Sequence, residues 1–188
     1  MIMNKVDLSV VIVSHNHSKY LSKNIKSIIR NTINIDYEIV LVNNFKKDKG
    51  IVNIVKKYPQ IKYIENQSVK GFSANNNMGI KESIGEYIAI LNPDTYLLNN
   101  TFETILDYMK KNKRIGVCGP KILNPDGSLQ YSCRKFPSFK SFLYRRTPLR
   151  IFFNQIEINK DHLMVDFDRV KPSKVDWMLG ACLVMNKK

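Results

Sequence analysis

Apolar positions over the first 118 residues follow two alternating rhythms. Leu8-Ser9-Val10-Val11-Ile12-Val13 is short, nearly continuous and rich in β-branched residues. That composition suits a strand buried on both faces, as in a parallel sheet. Behind it Leu21, Ile25, Ile28 and Ile29 recur at helical spacing, with Lys19, Lys23, Lys26 and Arg30 between them and Ser18 placed to cap the segment. The pair of rhythms then repeats. Tyr37–Val42 reads as a strand, Ile51, Ile54, Val55 and Tyr58 as a helix stopped by Pro59, and Ile61–Ile64 as a shorter strand. Ser73–Ile84 reads as a helix ended by Gly85, and Glu86–Leu91 as a fourth strand. Asn100 with Glu103 has the spacing of a capping box that opens a helix to about Asn112, ahead of a fifth strand at Ile115–Cys118. Strands alternating with helices predict an α/β domain with a mostly parallel sheet.

The remainder is less regular. Asn124-Pro125-Asp126-Gly127 is a turn signal. Ser138–Phe153 predicts a helix broken at Pro148, and Val175–Met185 a strand interrupted at Gly180 by a bulge or a close backbone approach. At 188 residues the chain suits one domain, 1–188, rather than two.

Charge adds a constraint on partners. The net charge is +14, a field that favours anions without choosing among phosphates, nucleic acid and acidic lipid. From Lys110 to Arg150 there are eleven basic residues against one acid, Asp126, which reads either as a solvated face or as a surface for a negatively charged membrane. Cys118, Cys133 and Cys182 show no disulfide or zinc spacing. No leader-like or membrane-spanning run is visible, so the expected location is cytoplasmic, with peripheral contact at the inner face of the plasma membrane.

In open α/β sheets ligands bind beyond the carboxyl ends of the strands. Three predicted strands end in small polar side chains there: Ser14-His15-Asn16, Asn43-Asn44 and Asn92-Pro93-Asp94-Thr95. Neither G-x-G-x-x-G nor G-x-x-x-x-G-K-[ST] is present, which weighs against a Rossmann dehydrogenase and a P-loop nucleotidase. Asp94, after a core strand and a proline, reads by itself either as a turn cap or as a ligand for a hard divalent cation. His17 and His162 read as surface residues, and His15-x-His17 is too sparse for a metal site.

Several blocks, in order, resemble glycosyltransferase family 2. Val10–Asn16 is similar to its opening strand, with His15 where the family usually has Tyr. Gly71–Ile80 resembles its central helix, and Gly85–Thr95 the strand that carries its aspartate motif. Gly119-Pro120-Lys121, Asn124–Gln130, Arg134–Pro137 and Val175–Ala181 resemble its rhamnosyltransferase-like branch.

The resemblance implies a GT-A-type α/β/α sandwich and an inverting transfer from a UDP- or dTDP-sugar to a glycan or lipid-linked acceptor. It implies that Ser14, His15 and Asn16 line the base and ribose pocket, with His15 stacking on the base. Asn43 stands where the family usually has an Asp that accepts from the base, and Asp48 at a second, peripheral acidic position. Gly71 and Asn77 shape the wall of the donor site. Asp94 binds Mg²⁺ or Mn²⁺ and, through it, the diphosphate. Trp177, Gly180 and Ala181 border the sugar and acceptor.

The family's general base lies in an acidic segment a few tens of residues past the Gly-Ala strand, whereas this sequence ends at Lys188. The expectation is a chain without that base, binding donor weakly, transferring sugar poorly, and self-associating through apolar surface near Val175–Met185. Phe142–Phe153 mixes aromatics with arginines and suits either a lipid interface or a packed helix. Two alternatives remain open: a non-catalytic sugar-nucleotide-binding remnant, and a basic nucleic-acid-binding module.

Overall fold

The computed structural model describes residues 5–45, 48–136 and 162–187. The helix expected at Ser138–Phe153 and the aromatic-arginine segment lie outside them. The chain forms two compact units, Met1–Pro120 with Gly180–Lys188, and Lys121–Leu179.

The first unit carries the predicted alternation: β1 (Leu8–Ser14), α1 (Ser18–Asn31), β2 (Tyr37–Asn43), α2 (Gly50–Lys57), β3 (Lys62–Glu65), α3 (Phe72–Glu82), β4 (Tyr87–Leu91), α4 (Thr101–Lys111) and β5 (Val117–Cys118). The strands order as β3-β2-β1-β4, all parallel. A late strand, Cys182–Asn186, then runs antiparallel between β4 and β5.

Side chains alternate across this sheet because successive strand residues face opposite sides. Leu8, Val10, Ile12, Leu41 and Leu91 join Leu21, Ile25 and Ile28 of α1, Ile51 and Ile54 of α2, and Phe102 and Leu106 of α4 in one core. Val11, Val40 and Ile88 form the other, with Ile80 of α3 packed on it. The result is an α/β/α sandwich of the GT-A type. Fully burying one such aliphatic side chain stabilises by roughly 1.5–3 kcal/mol, so the dry interior holds the strand ends in place and lets their loops be polar.

Two glycines make the layering possible. A Cβ on Gly79 would sit 2.4 Å from Cγ1 of Val11, so only glycine lets α3 lie this close to β1. A Cβ on Gly85 would meet the backbone N of Ser9 at 2.5 Å. Gly85 is thus a close-approach residue and does not end α3. The helix stops at Glu82, where Ser83 N–H donates to Ile80 O at 3.2 Å and Ser83 Oγ to Gly79 O at 2.8 Å.

The local caps differ from those expected. Ser18 is the first residue of α1 and does not cap it; its N–H donates 3.1 Å to Oδ2 of Asp48. Asp48 is 6% exposed and also accepts from Gly50 N–H, so it ties the starts of α1 and α2 together. The Asn100/Glu103 capping box does not form. Glu103 instead accepts from Ile33 and Asn34 N–H at 2.7 and 3.1 Å, holding the loop between α1 and β2. A longer carboxylate reach won over the local cap because α4 packs against that loop.

In the second unit, two short strands, β6 (Cys133–Arg134) and β7 (Trp177–Met178), pair antiparallel. The Asn124–Gly127 turn forms as predicted: Gly127 has φ 84°, and its N–H donates to Asn124 O at 2.9 Å. Ser128, donating its hydroxyl and N–H to Asp126, holds that carboxyl below its ordinary range. The expected Val175–Met185 strand is divided at Gly180. Its first part pairs with β6; its second is the late strand, β8, of the first unit. A Cβ on Gly180 would meet nothing, so a tight approach does not explain it, and Gly180 with Ala181 forms a turn between the two pairings rather than a bulge within one. In this stretch Cys182 and Val184 are interior, while Trp177 is 37% exposed. His162 is half-buried rather than a surface residue, with its ring 6.0 Å from that of Trp177.

Candidate functional site

The parallel strands reverse their order of addition at β1: β2 and β3 extend one side, β4 the other. A crevice opens at such a switch point, beyond the carboxyl ends. Here it is a cavity of about 260 Å³ lined by His15 and His17 after β1, Asn44 after β2, the start of α3, and Asn92, Pro93 and Asp94 after β4.

One wall is built from asparagine amides closed on one another. Asn44 Oδ1 accepts from Lys70 N–H at 2.8 Å, and its Nδ2 donates to Lys70 O at 2.9 Å. Asn66 Nδ2 donates to Asn44 Oδ1 at 3.0 Å and also to Asn75 Oδ1. Asn75 Nδ2 donates to the carbonyls of Lys70 and Gly71 at 3.0 and 2.9 Å. Asn66 and Asn75 are 3% and 1% exposed. Buried amides cost stability unless bonded, so this network fixes the 66–71 loop and the start of α3.

The other wall is the Asn92–Thr95 turn. Asn24, buried in the apolar stripe of α1, donates through Nδ2 to Asn92 O and Thr95 O at 3.2 and 2.6 Å. Asn92 N–H donates 2.9 Å to Ala181 O. The turn is thereby gripped from two sides while the Asp94 side chain is exposed and bonded to no side chain or backbone group among the described residues. Tyr96 stands close: burial first, and then the negative charge of Asp94, push its phenol up.

A pattern built from glycosyl transferase family 2 matches residues 9–166. The chain belongs to glycosyl transferase family 2. It is 35% identical over 112 residues to the minor teichoic acid biosynthesis protein GgaB of Bacillus subtilis, covering 57% of this chain and 12% of GgaB. It is 22% identical over 201 residues to the N-acetylglucosaminyl-diphospho-decaprenol L-rhamnosyltransferase of Mycobacterium tuberculosis, covering 96% of this chain and 61% of the relative. The chain thus spans less than two thirds of the length of either curated relative. Among solved structures, S. aureus TarS 1–349 in complex with UDP is similar in fold, with a TM-score of 0.57 and 20% identity over 69% of this chain and 40% of that one.

Within this family 2 domain the expected site residues separate. His15 and Asp94 line the cavity. Ser14 is buried beneath it, its carbonyl accepting from Asn44 N–H at 2.8 Å. Asn16 makes the tight turn between the two histidines, with φ 62°, a conformation asparagine tolerates. Asn43 is 1% exposed and turned away from the cavity's lining: Oδ1 accepts from Phe45 N–H and Nδ2 donates to Tyr63 Oη, both at 3.1 Å. Gly71 stands at the N-terminus of α3 with open space around it, and Asn77 is exposed and outside the lining. Ala181 binds the Asp94 turn through its carbonyl. Trp177 belongs to the other unit, where Arg134 lies 5.9 Å over its ring. His17, expected at the surface, is half-buried and lines the cavity.

Sequence reasoning placed Asn44 at a strand end without giving it a role, and missed Asn24, Asn66, Asn75 and Phe72. Asn24 had a readable signal, a lone amide in the Leu21-Ile25-Ile28 stripe. Asn66 had none, since its partners are 22 and 9 residues away.

Among the described residues no group of three or more His, Cys, Asp or Glu side chains is placed to hold a metal. A single unpartnered carboxylate nevertheless fits Mg²⁺ or Mn²⁺ in one mode. Such a cation is commonly held by one or two carboxylates together with substrate phosphates and water.

Proposed function

We propose that this domain holds the activated donor of an inverting sugar transfer, from a UDP- or dTDP-sugar to a glycan or lipid-linked acceptor in the synthesis of a cell-wall or cell-surface glycan. The observation that carries the reading is Asp94: a free carboxylate on a turn braced from behind, in the switch-point cavity. Asp94 would hold a divalent cation, and that cation would neutralise the charge gathering on the departing diphosphate. The carboxylate needs no internal partner because its partner arrives with the ligand.

The names of the relatives support the acceptor class. One is a teichoic acid biosynthesis protein, and the other transfers rhamnose to a diphosphate-linked lipid. UDP is the nucleotide in the TarS complex. Transfer also needs a base for the acceptor's hydroxyl proton. Asp94 is the only acid lining the cavity among the described residues, so we place that base elsewhere, outside the donor cavity. A cytoplasmic position, with the basic face towards an anionic membrane, belongs to the same proposal. Among the described residues no helix is long and apolar enough to cross a membrane.

Calorimetry with UDP, dTDP, GDP and their sugars, with and without Mn²⁺, tests this. The expected result is that Mn²⁺ strengthens uptake of a UDP- or dTDP-sugar at least about tenfold in the native protein, and not in Asp94→Asn. If no activated sugar shows metal-assisted uptake, or Asp94→Asn behaves as the native protein does, the proposal is wrong.

A further inference from the structure

The two histidines that line the cavity are each fixed in one tautomer by an unambiguous donor. The backbone N–H of His15 donates to Nδ1 of His17 at 3.1 Å. A backbone amide can only donate, so Nδ1 of His17 is the accepting nitrogen and its ring proton sits on Nε2. For His15 the decision comes through Asn44. The amide orientation of Asn44 is set by Lys70, whose N–H must meet Oδ1 and whose carbonyl must meet Nδ2. The second hydrogen on Nδ2 then faces Nδ1 of His15 at 3.3 Å, making that nitrogen an acceptor too. Neither Nε2 has a hydrogen-bond partner among the described residues.

A neutral imidazole with its proton on Nε2 cannot coordinate a cation there, because coordination needs the nitrogen's lone pair. It can donate to an anionic oxygen. Resting on the donor-site reading above, we infer that His17, with His15 beside it, contacts the diphosphate oxygens directly through Nε2–H and is not a ligand of the cation. The cavity then offers a diphosphate two kinds of contact: a cation carried by Asp94, and neutral hydrogen-bond donors that act without it. The short His15-Asn16-His17 turn, with Asn16 in the left-handed region, is what brings the His15 N–H onto His17 Nδ1.

The test uses the whole chain and inorganic pyrophosphate as the probe. Long-range ¹⁵N–¹H spectra of the ring nitrogens at neutral pH, without ligand, are expected to show both rings protonated at Nε2. Metal-free pyrophosphate is expected to shift the Nε2 signal of His17, and Mg²⁺ alone to leave it in place. His17→Ala is expected to weaken metal-free pyrophosphate binding roughly ten- to a hundredfold, the usual range for a hydrogen bond to a charged group. His17→Gln, whose amide nitrogen reaches the Nε2 position, restores most of it. His17→Asn, which keeps an acceptor at the Nδ1 position and lacks the far donor, does not. A proton on Nδ1 of His17, direct Mg²⁺ ligation, or pyrophosphate binding unchanged in His17→Ala overturns the inference. The two readings fail separately. Loss of metal assistance in Asp94→Asn alongside an indifferent His17→Ala leaves the donor site and removes the histidine contact. Pyrophosphate binding that depends on His17, with no activated sugar taken up, does the reverse.

Discussion

The two walls of the cavity are made of similar residues put to opposite ends. On one side Asn44, Asn66 and Asn75 bond to one another and to the Lys70 backbone, with the buried Oδ1 of Asn66 left without a partner. On the other, the Asn92–Thr95 turn is held by Asn24 and Ala181, and its carboxylate is left free. A polar side chain at a strand end is therefore not in itself a sign of ligand binding. What separates scaffold from ligand-facing group here is whether the side chain is buried and bonded within the fold, as these amides are, or exposed with no partner among the described residues, as Asp94 is. Asn43 teaches the same lesson: it stands one residue from a lining position, yet both ends of its amide are engaged inside the fold.

The largest effect on folding is expected at the closed wall. Asn66→Ala removes the donor to Asn75 Oδ1 and one of two donors to Asn44 Oδ1. A buried acceptor left unmet costs about 1–3 kcal/mol, offset in part because the variant also removes the partnerless buried Oδ1 of Asn66. For a chain of this size that lowers Tm by roughly 2–4 °C per kcal/mol. Asp94→Asn, by contrast, should shift stability by no more than about 0.5 kcal/mol, as for an exposed group with no partner to lose. Urea titrations of the two variants check this directly. Equal destabilisation would mean that Asp94 is structural and the contrast between the walls is mistaken.

How far the sequence reached divides along the same line. The β-branched runs and helical stripes up to Cys118 named the strands and helices of the first unit, because two-sided burial leaves a strong periodic trace. A core strand and a proline left Asp94 open between a turn cap and a cation ligand; the ordered motifs around it singled it out, and it does line the cavity. The amide network was not, since each asparagine depends on partners distant in sequence, as when Asn44 meets Lys70. The interruption at Gly180 was legible but its consequence was not: only tertiary pairing assigns Trp177–Met178 and Cys182–Asn186 to different sheets.

A smaller effect is expected at Asn24, and it falls on binding more than on folding. Its Nδ2 braces the Asp94 turn, while its buried Oδ1 has no partner. In Asn24→Leu the loss of two hydrogen bonds is partly offset by removal of that unmet acceptor and by new apolar packing. Net destabilisation should stay near about 1 kcal/mol. The turn loses its brace, so Mn²⁺-assisted donor affinity should fall about tenfold. Calorimetry and urea titration of one preparation separate the two quantities. An affinity that holds while stability drops would show that Ala181 alone positions the turn.

The smallest effect probes the dry sheet directly beneath that turn. Cys182 pairs with Leu91, the last strand residue before Asn92, and burial pushes its thiol up to about 12. Above about pH 9 the unfolded chain loses this proton while the folded chain keeps it. The unfolded state then binds fewer protons, so stability falls as pH rises. The contribution is whole below about pH 9 and is lost progressively toward about pH 12. Tyrosines and lysines also titrate there, so the readout is a difference: urea midpoints of the native protein and Cys182→Ala, compared from about pH 8 to about pH 11. The variant should start lower, for its lost packing, and decline less steeply. Parallel slopes would mean that water reaches Cys182, and that the rigid floor ascribed to the Asp94 turn is softer than the open carboxylate above it requires.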